Sequence, residues 1–168
     1  MKNKAVKEIT TIAAMTAVLE TAKIALSFLQ NIELVSLLII LYTLHFGVKR
    51  TLSAVYIFDG IETLIWGIGT WVISYLYVWT ILVLMTYLFR HFATKWPFVL
   101  LSTVFGLSFG ALCALTTLFI GGPKLALSWW IAGIPYDIVH SAGNFTVSFL
   151  LFTPLTKAIE KIQSMYKL

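Results

Sequence analysis

Residues 59–79 read DGIETLIWGIGTWVISYLYVW: two carboxylates, Asp59 and Glu62, and five large aromatics with polar tips, set within an apolar run. Placing a carboxylate near the centre of a bilayer costs at least ~2.5–3.5 kcal/mol on insertion scales, so such groups face a bundle interior or a wet cavity. The stretch therefore reads as two helices and their outer turn, lining a pocket for a small, flat, polar molecule.

Working outward, the rest of the chain supplies the apolar setting. Of 168 residues, 60% are hydrophobic and 11% charged, with a mean hydropathy of +0.92, against roughly 25% charged residues in an ordinary soluble domain. The expectation is an all-α integral membrane protein, residues 1–168 forming a single domain. That length suits about six spans of roughly 20 residues each, with no room for a soluble catalytic domain. The first residues, MKNKAVKEITT, carry charge but no small-residue cleavage site, so they read as the start of a retained first helix.

The expected spans are Thr10 to Leu29, Glu33 to Val48, Thr51 to Ile68, Trp71 to Phe89, Pro97 to Ile120, and Leu127 to Thr156. Lys49 and Arg50 are expected to close the second, and Gly121-Gly122-Pro123-Lys124 to form a turn. Gly133-Ile134-Pro135 is expected to interrupt the sixth span. Gly106 and Gly110 are spaced for close helix contact. Lys2, Lys4, Lys7, Lys49, Arg50, Arg90, Lys95, Lys157, Lys161 and Lys167 fall on every second boundary, and the opposite boundaries hold Lys124 alone. By the positive-inside rule both termini are cytoplasmic, and the net charge of +5 reflects orientation in a cell membrane and not nucleic-acid binding.

With orientation set, polar and aromatic residues sort to the outer half. Glu62 and Trp66 are four apart on the third span, with Asp59 three before Glu62; Trp71, Tyr75 and Trp79 step by four along the fourth. On the sixth, Trp130, Asp137 and Asn144 step by seven, with His140 three after Asp137, and Glu33 opens the second span from a tight polar turn. These residues, apart from Asp59, which suits helix packing alone, are the ten of the candidate binding set. Simpler roles compete with it: Trp71 and Trp129 suit an interfacial belt, Asp137 and His140 suit a structural pair, and Glu20 and Lys23 suit an ion pair on the first helix. Carboxylates with flat aromatic faces fit a heteroaromatic ring bearing N–H donors or partial positive charge.

Catalysis has little support. His45, His91 and His140 fall at different depths, which speaks against a metal site or a cytochrome-like redox protein. Nucleophile elbow and phosphate-binding glycine loop are both missing, and Cys113, alone, suits a packed core thiol. Neither catalytic residues nor a cofactor are expected.

The six spans with both ends inside, AAMTA at 13–17, the turn before ELVSLLIIL at 33–41, GIGTW at 67–71 and GIPYDIVHSAGNF at 133–145 together resemble the substrate-binding S components of energy-coupling factor (ECF) vitamin transporters. The resemblance implies a substrate-capture subunit of an ABC-type importer with an outward-facing vitamin site. It also implies that the alanine motif, Ala13, Ala14 and Ala17, packs on a transmembrane coupling subunit, and through it serves two cytosolic ATPases. Among such ligands the residues favour hydroxymethylpyrimidine, pyridoxine or thiamine over pantothenate, whose anion would want Lys124 to swing in from the last outer loop.

Overall fold

The computed structural model describes residues 2–166; Lys167 and the side chain of Lys2, both counted above among the basic residues, lie outside the described part. Five helices follow one another: α1 Lys2–Ala25, α2 Val35–Phe46, α3 Val48–Trp66, α4 Thr70–Phe89 and α5 Trp96–Tyr166. Regular structure among the described residues is entirely helical.

The shortest helix is the organising one. α2 reads VSLLIILYTLHF, and all of its residues from Val35 to Thr43 are buried. A helix apolar on every side must be covered on every side, and α2 packs against each of the other four. Around it α1 pairs with α3, α3 with α4, and α4 with α5.

α5 spans 71 residues, but its backbone leaves helical geometry at Gly122, where φ is 78° and ψ 178°. A positive φ is cheap only for glycine, and Pro123 then fits the first turn of a new helix, where its missing N–H is not needed. The two arms, 96–121 and 123–166, fold back on each other. Gly110 meets Asp137, Ser102 meets Asn144, and Phe98 stacks on Phe152, so partners recede from Gly122 at similar steps on both sides. A Cβ on Gly106 would lie 3.0 Å from the His140 carbonyl, so the close approach anticipated at Gly106 and Gly110 depends on their lacking side chains. The turn expected at 121–124 is thus present, and the described residues contain six helical segments.

Several boundaries differ from the sequence reading. Residues 133–135 stay helical, because Pro135 removes one N–H without forcing a break when neighbouring backbone satisfies the rest. α2 and α3 are separated only by Gly47, at φ 82°, so Lys49 and Arg50 belong to the first turn of α3 and do not close α2. α1 ends at Ala25, and residues 26–34 form an irregular connection with Asn31 at φ 59°, a conformation asparagine tolerates.

Polar contacts gather at one end of the bundle. Arg50 donates to Glu8 from Nε at 3.0 Å and Nη2 at 2.7 Å, a bond that holds the Glu8 carboxyl below its ordinary range. Lys7 donates to the Tyr166 carbonyl at 3.1 Å, and Gln163 to that of His45 at 2.8 Å. The start of α1, end of α2, start of α3 and end of α5 therefore meet, so the first helix begins where the last one ends. The outer surface is apolar: Leu64, Ile68 and Phe119 are each more than 85% exposed. α4 and α5 are long and apolar enough to cross a bilayer.

Candidate functional site

At the end of the bundle away from those basic contacts, a cavity of about 150 Å³ is lined by Lys23, Asn31, Glu33, Val35, Phe58, Tyr75, Trp79, Phe109 and His140. Every helix contributes, which is why no single stretch of sequence contains the site. Glu33 lies just before α2 and accepts from the Ser36 amide at 2.8 Å. It thereby caps the helix and meets its positive end. Its other oxygen faces His140 Nε2 at 3.4 Å, long for a hydrogen bond.

The aromatic wall comes from α4 and the first arm of α5. Trp71, Tyr75 and Trp79 form an edge-to-face ladder with ring centroids 5.2 and 5.5 Å apart. Spacing by four on one helix face produces this ladder directly. Phe109 packs against Tyr75, Trp79 and His140, at 6.3, 5.6 and 5.0 Å. The wall is braced from behind, since Tyr77 donates to the Leu112 carbonyl at 2.7 Å and Ser74 pairs with Thr116 at 2.8 Å.

Lys23 is the unexpected member. Its ammonium sits 5.7 Å from the Phe58 centroid and 5.6 Å from that of Tyr75, within cation–π range. Its ion-pair partner is Glu62 on α3 and not Glu20 on its own helix. Three residues apart on α1 proved compatible with pairing but did not decide it, because α3 brings a fully buried carboxylate to the same ammonium. The Glu20 and Asp59 carboxylates are also buried, and neither has a hydrogen-bond partner among the described residues.

Of the ten candidates, Glu33, Tyr75, Trp79 and His140 line the cavity, and Trp71 adjoins it through Tyr75. Glu62 stands behind Lys23 and reaches the cavity only through it. Asp137 and Asn144 serve the α5 hairpin: Asp137 accepts from the Gly110 amide at 2.9 Å, and Asn144 donates to the Ser102 carbonyl at 3.2 Å. Asp137 and His140, three apart, therefore do not pair with each other; one turns toward Gly110 and the other toward Glu33. Trp66, 63% exposed at the end of α3, and Trp130, 39% exposed, lie outside the cavity. Neither falls where several helices converge.

Lys23, Asn31, Val35, Phe58 and Phe109 line the cavity but were not in the sequence-derived set. Lys23 carried a signal, being one of only two basic residues outside the basic clusters. Phe58 and Phe109 carried none among 12 phenylalanines. Lys124 is exposed just past Gly122 and does not line the cavity. Among the described residues no group of three metal-ligating side chains converges.

Ala13, Ala14 and Ala17 of α1 are all exposed but face two ways. Ala13 and Ala17 line a groove of about 470 Å³ with Ile9, Ile12, Thr16, Ser53, Ile57 and Ile61, between α1 and α3. Ala14 lines a second groove, of about 250 Å³, between α1, α2 and the end of α5.

Comparison with protein-family models, curated proteins and solved structures gives no match.

Proposed function

We propose that this protein is the substrate-capture subunit of an ECF-type importer, a six-span bundle in the cell membrane with both termini in the cytoplasm. In this reading it binds a single-ring water-soluble vitamin or precursor and performs no chemistry on it. The observation that carries the reading is the cavity at the end opposite the basic contacts, where a carboxylate, an ammonium, an imidazole and four aromatic rings converge. Mostly apolar clefts with a few convergent polar groups are the usual form of ligand sites.

Size narrows the ligand. An apolar cavity of about 150 Å³ takes up benzene in another protein, so this one holds one ring with small substituents. Hydroxymethylpyrimidine and pyridoxine fit that limit; thiamine, with two rings, and pantothenate, with a long chain, exceed it. Lys23 in the wall removes the charge objection to an anion, so size and not charge now disfavours pantothenate.

Equilibrium binding to detergent-solubilised protein tests the reading, using pyridoxine, hydroxymethylpyrimidine, thiamine and pantothenate. A single-ring compound should bind at a one-to-one ratio, and Tyr75→Ala should weaken it by roughly the 0.5–1.5 kcal/mol of a lost aromatic pair or more. Trp66→Ala and Trp130→Ala should leave it intact. Bound heme, or turnover of any compound by the isolated protein, would transfer support to the redox alternative.

The coupling role has its own test. Ala13 and Ala17 are exposed in an apolar groove, and close helix approach requires small side chains. Ala13→Trp with Ala17→Trp should abolish uptake in cells carrying a coupling subunit and ATPases while ligand binding persists. Uptake at the wild-type level would remove this groove from the coupling surface.

A further inference from the structure

Besides its charged groups, which have partners, the cavity wall holds an unpaired polar one. Trp79 is 96% buried and lines the cavity, yet its indole Nε1–H has no hydrogen-bond partner among the described residues. Its close ring neighbours, Tyr75, Phe105 and Phe109, present aromatic faces and edges. A buried donor left unpaired is costly, and native structures rarely keep one without a reason. Lys23, on the same cavity, is likewise a donor-only group, whereas the Glu33 carboxylate is acceptor-only.

Resting on the capture reading above, we infer that the ligand is amphoteric: one edge of its ring accepts hydrogen bonds from Trp79 Nε1 and Lys23, and another donates to Glu33. This makes Trp79 a specificity residue through its N–H as well as a stacking surface. The chemical class is a heteroaromatic ring carrying an oxygen substituent or unprotonated ring nitrogen together with an N–H or O–H donor. A purely cationic ring satisfies Glu33 and leaves Trp79 unpaired; a purely anionic one does the reverse.

The test compares matched probes on purified full-length protein. One pair is pyridoxine and the analogue with hydrogen in place of its ring hydroxyl; the other is hydroxymethylpyrimidine and its benzene-ring counterpart. In whichever pair binds, wild type should prefer the acceptor-bearing member by about tenfold, the scale of one buried hydrogen bond. Trp79→Phe keeps a ring and deletes the N–H, and should collapse that preference toward one. Should Trp79→Phe fail to fold, the indole N–H resonances of ¹⁵N-labelled wild type give a second readout. One of them should move downfield with the acceptor-bearing probe and stay in place with its analogue. A preference unchanged in Trp79→Phe, or no shifted indole resonance, overturns the inference while single-ring binding stands. Failure of all four probes to bind wild type overturns the capture reading and this inference with it.

Discussion

Two polar regions meet at Lys23 and are finished differently. Toward the cavity, the Glu33 carboxylate has the Ser36 amide on one oxygen and faces His140 with the other. Toward the α1–α3 seam, Glu62 has only the Lys23 ammonium, and the carboxylates of Glu20 and Asp59 have no hydrogen-bond partner among the described residues. The first region is set in geometry before any ligand arrives. The second holds three buried acids and one cation, which pairs with Glu62, so Lys23 holds the seam together and also forms part of the cavity wall. Ligand recognition and helix packing are thereby joined through one side chain.

The largest expected effect follows from that sharing. Lys23→Met leaves Glu62 buried without its partner, and breaking a buried pair in this way typically costs about 3–5 kcal/mol. Thermal unfolding in detergent should show a large loss for Lys23→Met. Lys23→Met with Glu62→Gln should regain most of it, because the carboxylate that was paired with the ammonium is then neutral. Ligand affinity should not return in the double variant, since the cavity has lost its ammonium. If the double variant binds as wild type does, Lys23 belongs to the seam alone and the two regions are independent.

An intermediate effect is expected at Glu33. Glu33→Ala removes the acceptor that caps α2 and should destabilise by about 1 kcal/mol, the usual scale of a lost cap. Glu33→Gln retains an acceptor for the Ser36 amide, so its melting temperature should stay near wild type while ligand affinity falls. Equal losses of stability in both variants would show that the carboxylate charge, and not the cap, is what the fold uses.

The smallest effect should come from Glu20→Gln and Asp59→Asn. No hydrogen bond is lost at either position, and replacing a buried carboxylate by a neutral amide of similar shape relieves a desolvation cost. Both should lose less than about 1 kcal/mol relative to wild type, the typical loss for a point substitution. A loss at Asp59→Asn as large as that at Lys23→Met would mean the seam is a fully paired network, and the contrast drawn here would fail.

Much of the fold was legible because apolar patterning and backbone chemistry act locally. The turns at Gly67–Thr70 and Gly121–Lys124 follow from glycines that accept a positive φ and from a proline that suits a new first turn. The ladder of Trp71, Tyr75 and Trp79 follows from a step of four on one helix, and the close contacts at Gly106 and Gly110 from their missing side chains. What sequence alone determined is thus which residues share a helix face and where the chain reverses. Only the tertiary structure decided which face meets which. Lys23 lay as close along the chain to Glu20 as pairing requires, but packing of α1 on α3 gave it Glu62. Asp137 and His140 sit one turn apart and diverge, because the α5 hairpin brings the Gly110 amide to one and α2 brings Glu33 to the other. Phe58 and Phe109, indistinguishable in sequence from other core phenylalanines, became cavity walls by the same convergence. Local propensity acts over a few residues, whereas a cavity is a property of the space left between helices, and that space is fixed only when all of them have packed.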